Sequence, residues 1–419
     1  MLQLLRNNRD IRLLFMAQVI SFMGDWFAYV ALAGLVNDAT GSKILVSLVY
    51  VAFSLPSFLL SPIGGPVADR FDRRKVLMAI SAGQALAALG LLLGTSSRVW
   101  PVFVFQGTIS GLAAFIRPAS EASVPNLARN PEELRQANAL LGSTWGVMLA
   151  LGAAIGGVFS QIFGRSACFI ADALSFVLAG ALFAMIRTPM QQHSTVASPS
   201  RPPMRPLADM AEAGRFAKRD RVVMALIASK ATFAIGSGVV SQLAVLASDV
   251  FHSGDSGRGL LIGVRGVGVG LGPIIAMRFA RNDMSKILLI CGAAGLSFSV
   301  LYVGAAWAPT LWLAALLIAL AHLGGGAQWT ISSYGLQLRT PDDIRGRVMA
   351  GDFAIVTLVL SVTSLLSGVL AEAFGVREAI TICAGAAAVA GVVYLVVTAS
   401  VRRTLAAQAP APAPAPAPA

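Results

Sequence analysis

The chain has 419 residues, of which 56% are hydrophobic and only 12% are charged, and its mean hydropathy is +0.74. Soluble proteins carry about 25% charged residues, so this composition excludes an ordinary soluble domain, whose surface needs more charge. It also excludes a disordered chain and a coiled coil. The three cysteines lie singly in apolar runs, which excludes a disulfide-stapled secreted domain. Lipid is therefore the expected solvent for much of the chain.

Twelve apolar runs are long enough to cross a bilayer, for which a helix needs about 20 residues. The first run is too long for a cleavable signal peptide and lacks a small-residue cleavage site. We therefore predict an all-α membrane protein with twelve transmembrane helices. The runs cover approximately residues 12–36, 43–67, 75–95, 99–119, 137–163, 165–187, 221–247, 258–279, 284–306, 309–332, 349–374 and 376–400.

The lysine and arginine residues predict the orientation of these helices. With the N-terminus in the cytoplasm, 25 of the 32 basic residues lie in cytoplasmic segments and 5 lie in the opposite loops. The remaining two, Lys230 and Arg265, lie inside spans, away from the span ends. This asymmetry follows the positive-inside rule and places both termini in the cytoplasm. It also explains the net charge of +12 without nucleic acid as a partner.

The longest polar stretch follows the sixth run and divides the chain into two sets of six spans. A Pro-acidic-acidic-aliphatic-Arg motif occurs in both sets, from Pro131 and from Pro341, 210 residues apart. Such repeats are typical of secondary transporters, whose substrate site lies between the halves; a chance match of two charged loops is the alternative. We predict two pseudo-symmetric six-helix bundles at residues 1–187 and 221–404, a cytoplasmic linker at 188–220, and an Ala/Pro-rich cytoplasmic tail at 405–419.

The loop after the second span carries the most informative motif. It reads Gly65-Pro66-Val67-Ala68-Asp69-Arg70-Phe71-Asp72-Arg73-Arg74-Lys75. The motif resembles the signature of the major facilitator superfamily, G-x-x-x-D-R-x-G-R-R, with Asp72 in place of the second glycine. The first-span motif Gly24-Asp25-Trp26 resembles the branch of enterobactin exporters and macrolide-efflux proteins. The resemblance implies the major facilitator fold in a bacterial cytoplasmic membrane and a small-molecule substrate.

In that superfamily, the charges of this loop form a cytoplasmic gate with the ends of spans four and eleven. The resemblance implies that Glu121, after span four, is a partner of Asp69 or Arg73. The alternative is that these charges only enforce the membrane topology. Carried over residue by residue, the gate contains Gly65, Asp69, Arg70, Arg73, Arg74, Glu121 and, at the start of span eleven, Asp352.

Ionisable residues inside spans mark the candidate transport site. A charge at the bilayer centre costs at least about 2.5–3.5 kcal/mol, so each needs a partner, a wet cavity or neutralisation. The resemblance places spans 1, 4, 7 and 10 around a cavity. Asp25 and Lys230 are then expected to face each other, either to couple proton movement or as a permanent ion pair that only fixes the packing. The expected residues of this cavity are Asp25, Gln106, Lys230 and His322.

Other polar or glycine-rich features inside the spans are expected to have structural roles. We expect Arg265 in the interface between the halves and Asp172 outside the cavity, in peripheral span six. His322 has an alternative role as the hydrogen-bond partner of a neighbouring helix. The glycines of the Gly266–Gly272 stretch lie in an apolar span, so they predict close helix packing rather than a nucleotide-binding loop.

The sequence contains no P-loop, HExxH motif or nucleophile elbow, so we expect neither ATP-driven transport nor an enzyme, and no cofactor. The leading hypothesis is a proton-coupled, monomeric exporter of amphiphilic small molecules, such as drugs or a siderophore, that works by alternating access. Its partners would be the substrate, protons and membrane lipid. The alternatives are a lipid or lysolipid flippase of the same fold and a membrane sensor or scaffold that does not transport.

Overall fold

The computed structural model describes residues 2–191, 206–280 and 283–408. These ranges are predominantly helical and contain no strand. Twelve helices in them are long and apolar enough to cross a membrane, which confirms the predicted all-α, twelve-helix fold. We label them α1 (Arg9–Thr40), α2 (Lys43–Arg70), α3 (Arg73–Gly90), α4 (Trp100–Leu127), α5 (Pro131–Phe163), α6 (Arg165–Ala184), α7 (from Arg221–Ser237 on to Val250), α8 (Asp255–Ala280), α9 (Met284–Ala306), α10 (Leu311–Arg339), α11 (Asp342–Phe374) and α12 (Val376–Val397).

Shorter helices, Leu2–Asn7, Pro206–Arg219 and Ala399–Ala407, lie outside the spans. The second of them lies within the predicted linker at 188–220, so this part of the linker is helical. Two of its alanines, Ala213 and Ala217, are buried in a cluster of apolar residues from the second half. The linker helix therefore packs against that half. The exact limits of the two six-helix domains stay a prediction.

Polar side chains just before the helices explain where several spans begin. The side chains of Asn8, Ser42 and Asn130 each accept a hydrogen bond from a backbone N–H in the first turn of α1, α2 and α5, respectively. Asp72 does the same for α3, because its carboxylate accepts from the Lys75 backbone N–H at 2.9 Å. This cap gives a physical reason for an acidic residue where the superfamily motif has glycine.

The repeat seen in the sequence is also present in the structure. Helices α5 and α11, which begin at the two copies of the Pro-acidic motif, are both 33 residues long. Each ends at a glycine with positive φ, Gly164 at +83° and Gly375 at +101°. Only glycine adopts this backbone conformation readily. The same helix length and the same terminating residue therefore recur in both halves.

Glycines bring the backbones of α5 and α8 into direct contact across the boundary between the halves. A Cβ atom added to Gly259 would collide with the Ala153 carbonyl oxygen, and one added to Gly266 would collide with the Ala150 nitrogen. Gly268 and Gly272, on another side of α8, meet the backbone of α10 in the same way. The glycine-rich stretch is thus a site of close helix packing, as predicted.

Helix α7 is irregular in its second part. Its α-helix ends at Ser237, and a 3-10 turn (Gly238–Gln242), an α-helical turn (Leu243–Val245) and a π-helical turn (Leu246–Val250) follow. A Cβ atom at Gly238 would collide with the backbone of Thr363 in α11, so glycine allows this close crossing. Interrupted helices of this kind are found near the substrate sites of many transporters.

We predict that Gly266→Ala lowers the apparent melting temperature of the purified protein, because the new methyl group enters a backbone contact between α5 and α8. Overpacking of this kind costs about 1–3 kcal/mol. Gly270→Ala is the matched control, since no atom lies within 4 Å of a Cβ at that position of the same helix. Thermal unfolding of both variants in detergent tests this. Equal melting temperatures for the two variants would show that the close contact does not limit stability.

Candidate functional site

Asp25 lies in the middle of α1, and the structure places it beside Asp172 of α6. Asp172 is only 1% exposed, and a Cβ atom at Gly24 would lie 2.6 Å from its Oδ1 atom. Asp25, the residue after Gly24 in α1, is half-buried. Neither carboxylate oxygen of Asp172 has a hydrogen-bond partner, since the nearby Ser175 hydroxyl donates to the Asp172 backbone carbonyl at 2.7 Å.

The expected pairing of Asp25 with Lys230 is wrong. Lys230 forms an ion pair with Asp352 of α11, and both side chains are only 3% exposed. Its ammonium group also donates to Ser333 at 2.8 Å and lies 5.4 Å from the centre of the Trp329 ring. The reason is the packing of the second half, where α7 contacts α10 and α11 directly. Asp352, expected at the cytoplasmic gate, is therefore the buried counter-charge of Lys230.

His322 is buried in a cluster that the sequence did not predict. Its Nε2 atom lies 3.2 Å from Nε of Arg265 in α8 and 2.9 Å from the Tyr302 hydroxyl in α9. Gln106, the fourth expected cavity residue, is 3% exposed within α4. The structure thus distributes the expected cavity residues among different partners: Asp25 lies beside Asp172, Lys230 pairs with Asp352, and His322 bonds Arg265.

Aromatic side chains of the first half form a continuous cluster next to Asp25. The Trp26 ring centre lies 5.3 Å from that of Phe53 and 6.1 Å from that of Trp145. The Tyr29 ring continues the cluster, 5.1 Å from Phe53 and 6.3 Å from Tyr50. Trp26 and Tyr29 are buried in the hydrophobic core, whereas Tyr50 and Phe53 are half-buried and Trp145 is exposed, so the last three are the rings that an amphiphilic molecule could contact. This cluster was not predicted from the sequence, because Asp25 was the only residue of α1 considered for the site.

Basic residues of the predicted gate hold the loop after α2 against its own half. The Arg73 guanidinium donates to the carbonyl oxygens of Ala68 at 3.1 Å and of Ala122, in α4, at 2.6 Å. Arg74 donates to the Ile186 carbonyl oxygen at 2.8 Å. Arg70 is exposed. Gly65 and Asp69 belong to helix α2. Their contacts are not among those that the structure describes, so their place in the gate stays a prediction.

Among the described residues, Glu121 pairs within its own helix and not with the gate loop as expected. Its carboxylate accepts from the Arg117 Nε atom at 2.7 Å, one helical turn earlier in α4, and both side chains are largely exposed. An i,i+4 spacing places these two charges on one face of the helix, which makes this local pair easy to form. The contact between the loop and α4 runs instead through Arg73 and the backbone carbonyl of Ala122.

Four charged residues join the two halves at one end of the bundle. We call this end, opposite the start of α1 and the end of α12, the distal end. Asp38 of α1 pairs with Arg165 and Arg258, both at 2.5 Å. Asp255 of α8 pairs with the same two cations, at 3.0 Å and 2.6 Å. The network is electrically neutral and links Asp38 and Arg165 of the first half to Asp255 and Arg258 of the second.

Further contacts between the halves also lie at the distal end. Lys43 pairs with Asp249 at 2.5 Å, and Asn37 donates to Ser248 at 3.1 Å. A signal for this interface was present in the sequence. Three of the five basic residues assigned to the loops at this end, Lys43, Arg165 and Arg258, take part in these ion pairs.

Comparison with known proteins decides the family. A family model described as transmembrane secretion effector, of the major facilitator (MFS) type, matches residues 5–418. The chain belongs to this family. It is thus a multi-pass membrane transporter and not an enzyme, which confirms the resemblance stated above.

Relatives and solved structures support the same assignment. The chain is 26% identical to the uncharacterised MFS-type transporter YfiS of Bacillus subtilis over 91% of both chains. It is 23% identical to the staphyloferrin A transporter of Staphylococcus aureus, covering 88% of this chain and 91% of the relative. It is 25% identical to macrolide efflux protein A of Streptococcus pyogenes over 41% of this chain and 43% of the relative.

The fold is similar to that of a bacterial homologue of the human lysosomal transporter Spinster. That crystal structure, in an inward-facing and unoccupied conformation, aligns with a TM-score of 0.72 and 17% identity, covering 97% of this chain and 98% of the other.

We predict that Lys230→Met destabilises the protein by about 3–5 kcal/mol, because it leaves Asp352 buried without a counter-charge. The double variant Lys230→Met with Asp352→Leu should recover most of this loss, since it removes both charges. Thermal unfolding of the single and double variants in detergent measures the coupling energy between Lys230 and Asp352. If Lys230→Met is as stable as the wild-type protein, this ion pair does not contribute to stability.

Proposed function

We propose that this chain is a proton-coupled exporter that moves amphiphilic small molecules, such as drugs or siderophores, by alternating access. Its family makes it a membrane transporter; the coupling ion, the direction and the substrate class are the proposal. The name of one relative, macrolide efflux protein A, supports export, and that of another, the staphyloferrin A transporter, supports a small-molecule substrate. The half-buried Tyr50 and Phe53 rings and the exposed Trp145 ring support a substrate with apolar rings.

Proton coupling rests on one observation, the carboxylates Asp25 and Asp172. Neither has an ion-pair partner among the described residues, and both oxygens of Asp172 lack a hydrogen bond. Two adjacent carboxylates in an apolar environment repel each other and are each costly to ionise, so at least one of them retains a proton. Exposure to water in another conformation would allow that proton to leave. Such a cycle is what coupling requires.

Alternating access is supported by the way the halves meet. Ion pairs and hydrogen bonds of Asp38, Lys43, Arg165, Asp255 and Arg258 hold the distal end closed. With both termini in the cytoplasm, the distal end faces outward and this conformation is inward-facing. Export then needs these contacts to break so that the distal end opens. Lys43 and Asp249 are partly exposed, at 20% and 34%, and surface ion pairs contribute only about 0–1 kcal/mol, so this pair can open at low cost. Arg258 and Asp255 lie in the same helix and stay paired when the halves separate.

The other expected residues take specific roles in this proposal. Gln106 is a candidate for a polar contact with the substrate, and His322 holds the Arg265 side chain. Lys230 and Asp352 stabilise the second half rather than carry protons. Arg73 anchors the gate loop to α4, and Asp69 supplies the gate's negative charge. The membrane is the only other partner that the proposal needs, and the carrier acts as a monomer.

We predict that Asp172→Asn abolishes uphill transport driven by a proton gradient, because an amide cannot release a proton, and that Asp25→Asn does the same. Downhill equilibration of the substrate should persist in both variants. Proteoliposomes with an imposed pH gradient measure this, using cationic dyes, a macrolide and siderophores as candidate substrates. Glu132→Gln, which removes an exposed carboxylate near the start of α5, is the control and should transport normally.

Two results would contradict the proposal. If the original protein concentrates none of the candidates under a pH gradient of either sign, proton-coupled export of this substrate class is wrong. If Asp172→Asn and Asp25→Asn both concentrate substrate at the rate of the wild-type protein, the protons move through another site. Movement of fluorescent lysolipid between leaflets, measured in the same vesicles, would instead favour the flippase.

A further inference from the structure

Three cations are buried in the described membrane helices, and only one of them lacks an acidic partner. Lys230 pairs with Asp352, and Arg258 pairs with Asp38 and Asp255. Arg265 in α8 is 6% exposed and forms no ion pair with any described residue. An arginine remains charged under all physiological conditions. A buried charge without a counter-charge is costly in lipid, so Arg265 points to an anion that comes from outside the chain.

The hydrogen bonds around Arg265 orient its guanidinium without neutralising it. Its Nε–H group donates to Nε2 of His322 at 3.2 Å, so this nitrogen carries no proton. The Tyr302 hydroxyl lies 2.9 Å from the same nitrogen and shares its single lone pair with Arg265. His322 is therefore a neutral imidazole with its proton on Nδ1, which has no partner among the described residues. The ring holds Arg265 in place but adds no negative charge.

The remaining nitrogens of Arg265 form a free binding edge. Nη1 is buried without a hydrogen-bond partner, and no hydrogen bond to Nη2 occurs among the described residues. Two parallel N–H groups of a guanidinium match the two oxygens of a carboxylate, sulfonate or phosphate group. A neutral or cationic group cannot use this edge, because arginine has no acceptor.

Aromatic side chains lie next to the His322 ring that holds this cation. The Phe298 ring centre lies 5.5 Å from that of His322 and 4.5 Å from that of Tyr302, whose hydroxyl lies 2.9 Å from His322 Nε2. The Phe233 ring of α7 extends this group, 5.1 Å from Phe298. An anionic head on Arg265 would thus leave an attached ring next to an aromatic surface. Arg265 is only 6% exposed in this conformation, so a ligand reaches it when the helices around it move apart.

We propose that Arg265 is the anion-binding group of the substrate site and that the substrate is an aromatic amphiphile with a carboxylate or similar anionic group. His322 and Tyr302 are positioning residues that hold the guanidinium. This proposal deepens the proposed transport function and rests on it, but it concerns binding alone and does not depend on the driving ion or the direction of transport.

Binding of two matched probes to the purified protein tests the proposal. We would titrate 2-naphthoate and its neutral amide, 2-naphthamide, by calorimetry. The original protein should bind the carboxylate at least about tenfold more tightly than the amide, as expected for a charge-assisted, bidentate hydrogen bond. Arg265→Gln should remove this preference by weakening naphthoate about 10–100-fold while leaving naphthamide within about twofold. Arg117→Gln, at an exposed site of α4, should change neither.

Arg265→Lys provides a second variant that keeps the buried charge but loses the two-nitrogen edge. It should bind naphthoate with intermediate affinity. The proposal is wrong if the original protein shows no preference for naphthoate, or if Arg265→Gln or Arg265→Lys binds both probes as the original does. Failure of uphill transport in vesicles, with the naphthoate preference intact, would overturn proton-coupled export and leave the anion site standing.

Discussion

The need to neutralise charge in lipid determines how this transporter is built. Some of its buried charges are neutralised within one half, as Lys230 is by Asp352, and others are neutralised across the two halves, as Arg258 is by Asp38. The first kind stabilises a half-bundle, and the second kind ties the halves together at the distal end. Asp172 and Arg265 belong to neither kind, because no counter-charge in the described chain reaches them. In the proposed account, a proton neutralises Asp172 and a bound anion neutralises Arg265.

Close packing of α5 on α8 gives these charges their setting. Glycines such as Gly157 and Gly259 bring the two backbones together without interlocking side chains. In the proposed transport cycle the helices pivot on this contact, whereas the ion pairs at the distal end stabilise the closed position. The stability of the interface and the stability of one conformation thus depend on different residues. That separation suits a carrier that must change conformation without coming apart.

Much of the fold could be predicted from the sequence, because span lengths, the 210-residue repeat and glycine spacing are local patterns. The partners of the buried charges could not, because they depend on how each helix is rotated. Lys230 was expected to face α1, yet its side chain points to α11. The contact of Asp172 with α1, which the absence of a side chain at Gly24 allows, depends on helix rotation in the same way. The position of Gly24 directly before Asp25 was the available signal.

The central claim, that the Asp25–Asp172 pair holds a proton inside the membrane, can be tested by infrared difference spectroscopy of the purified protein. A protonated carboxyl group in an apolar site gives a carbonyl stretching band that shifts in heavy water. An ionised carboxylate gives no such band. We predict that this band is present at neutral pH in the original protein and is lost in Asp172→Asn. Absence of the band from the original protein at neutral pH, or an unchanged band in both Asp172→Asn and Asp25→Asn, would contradict the account.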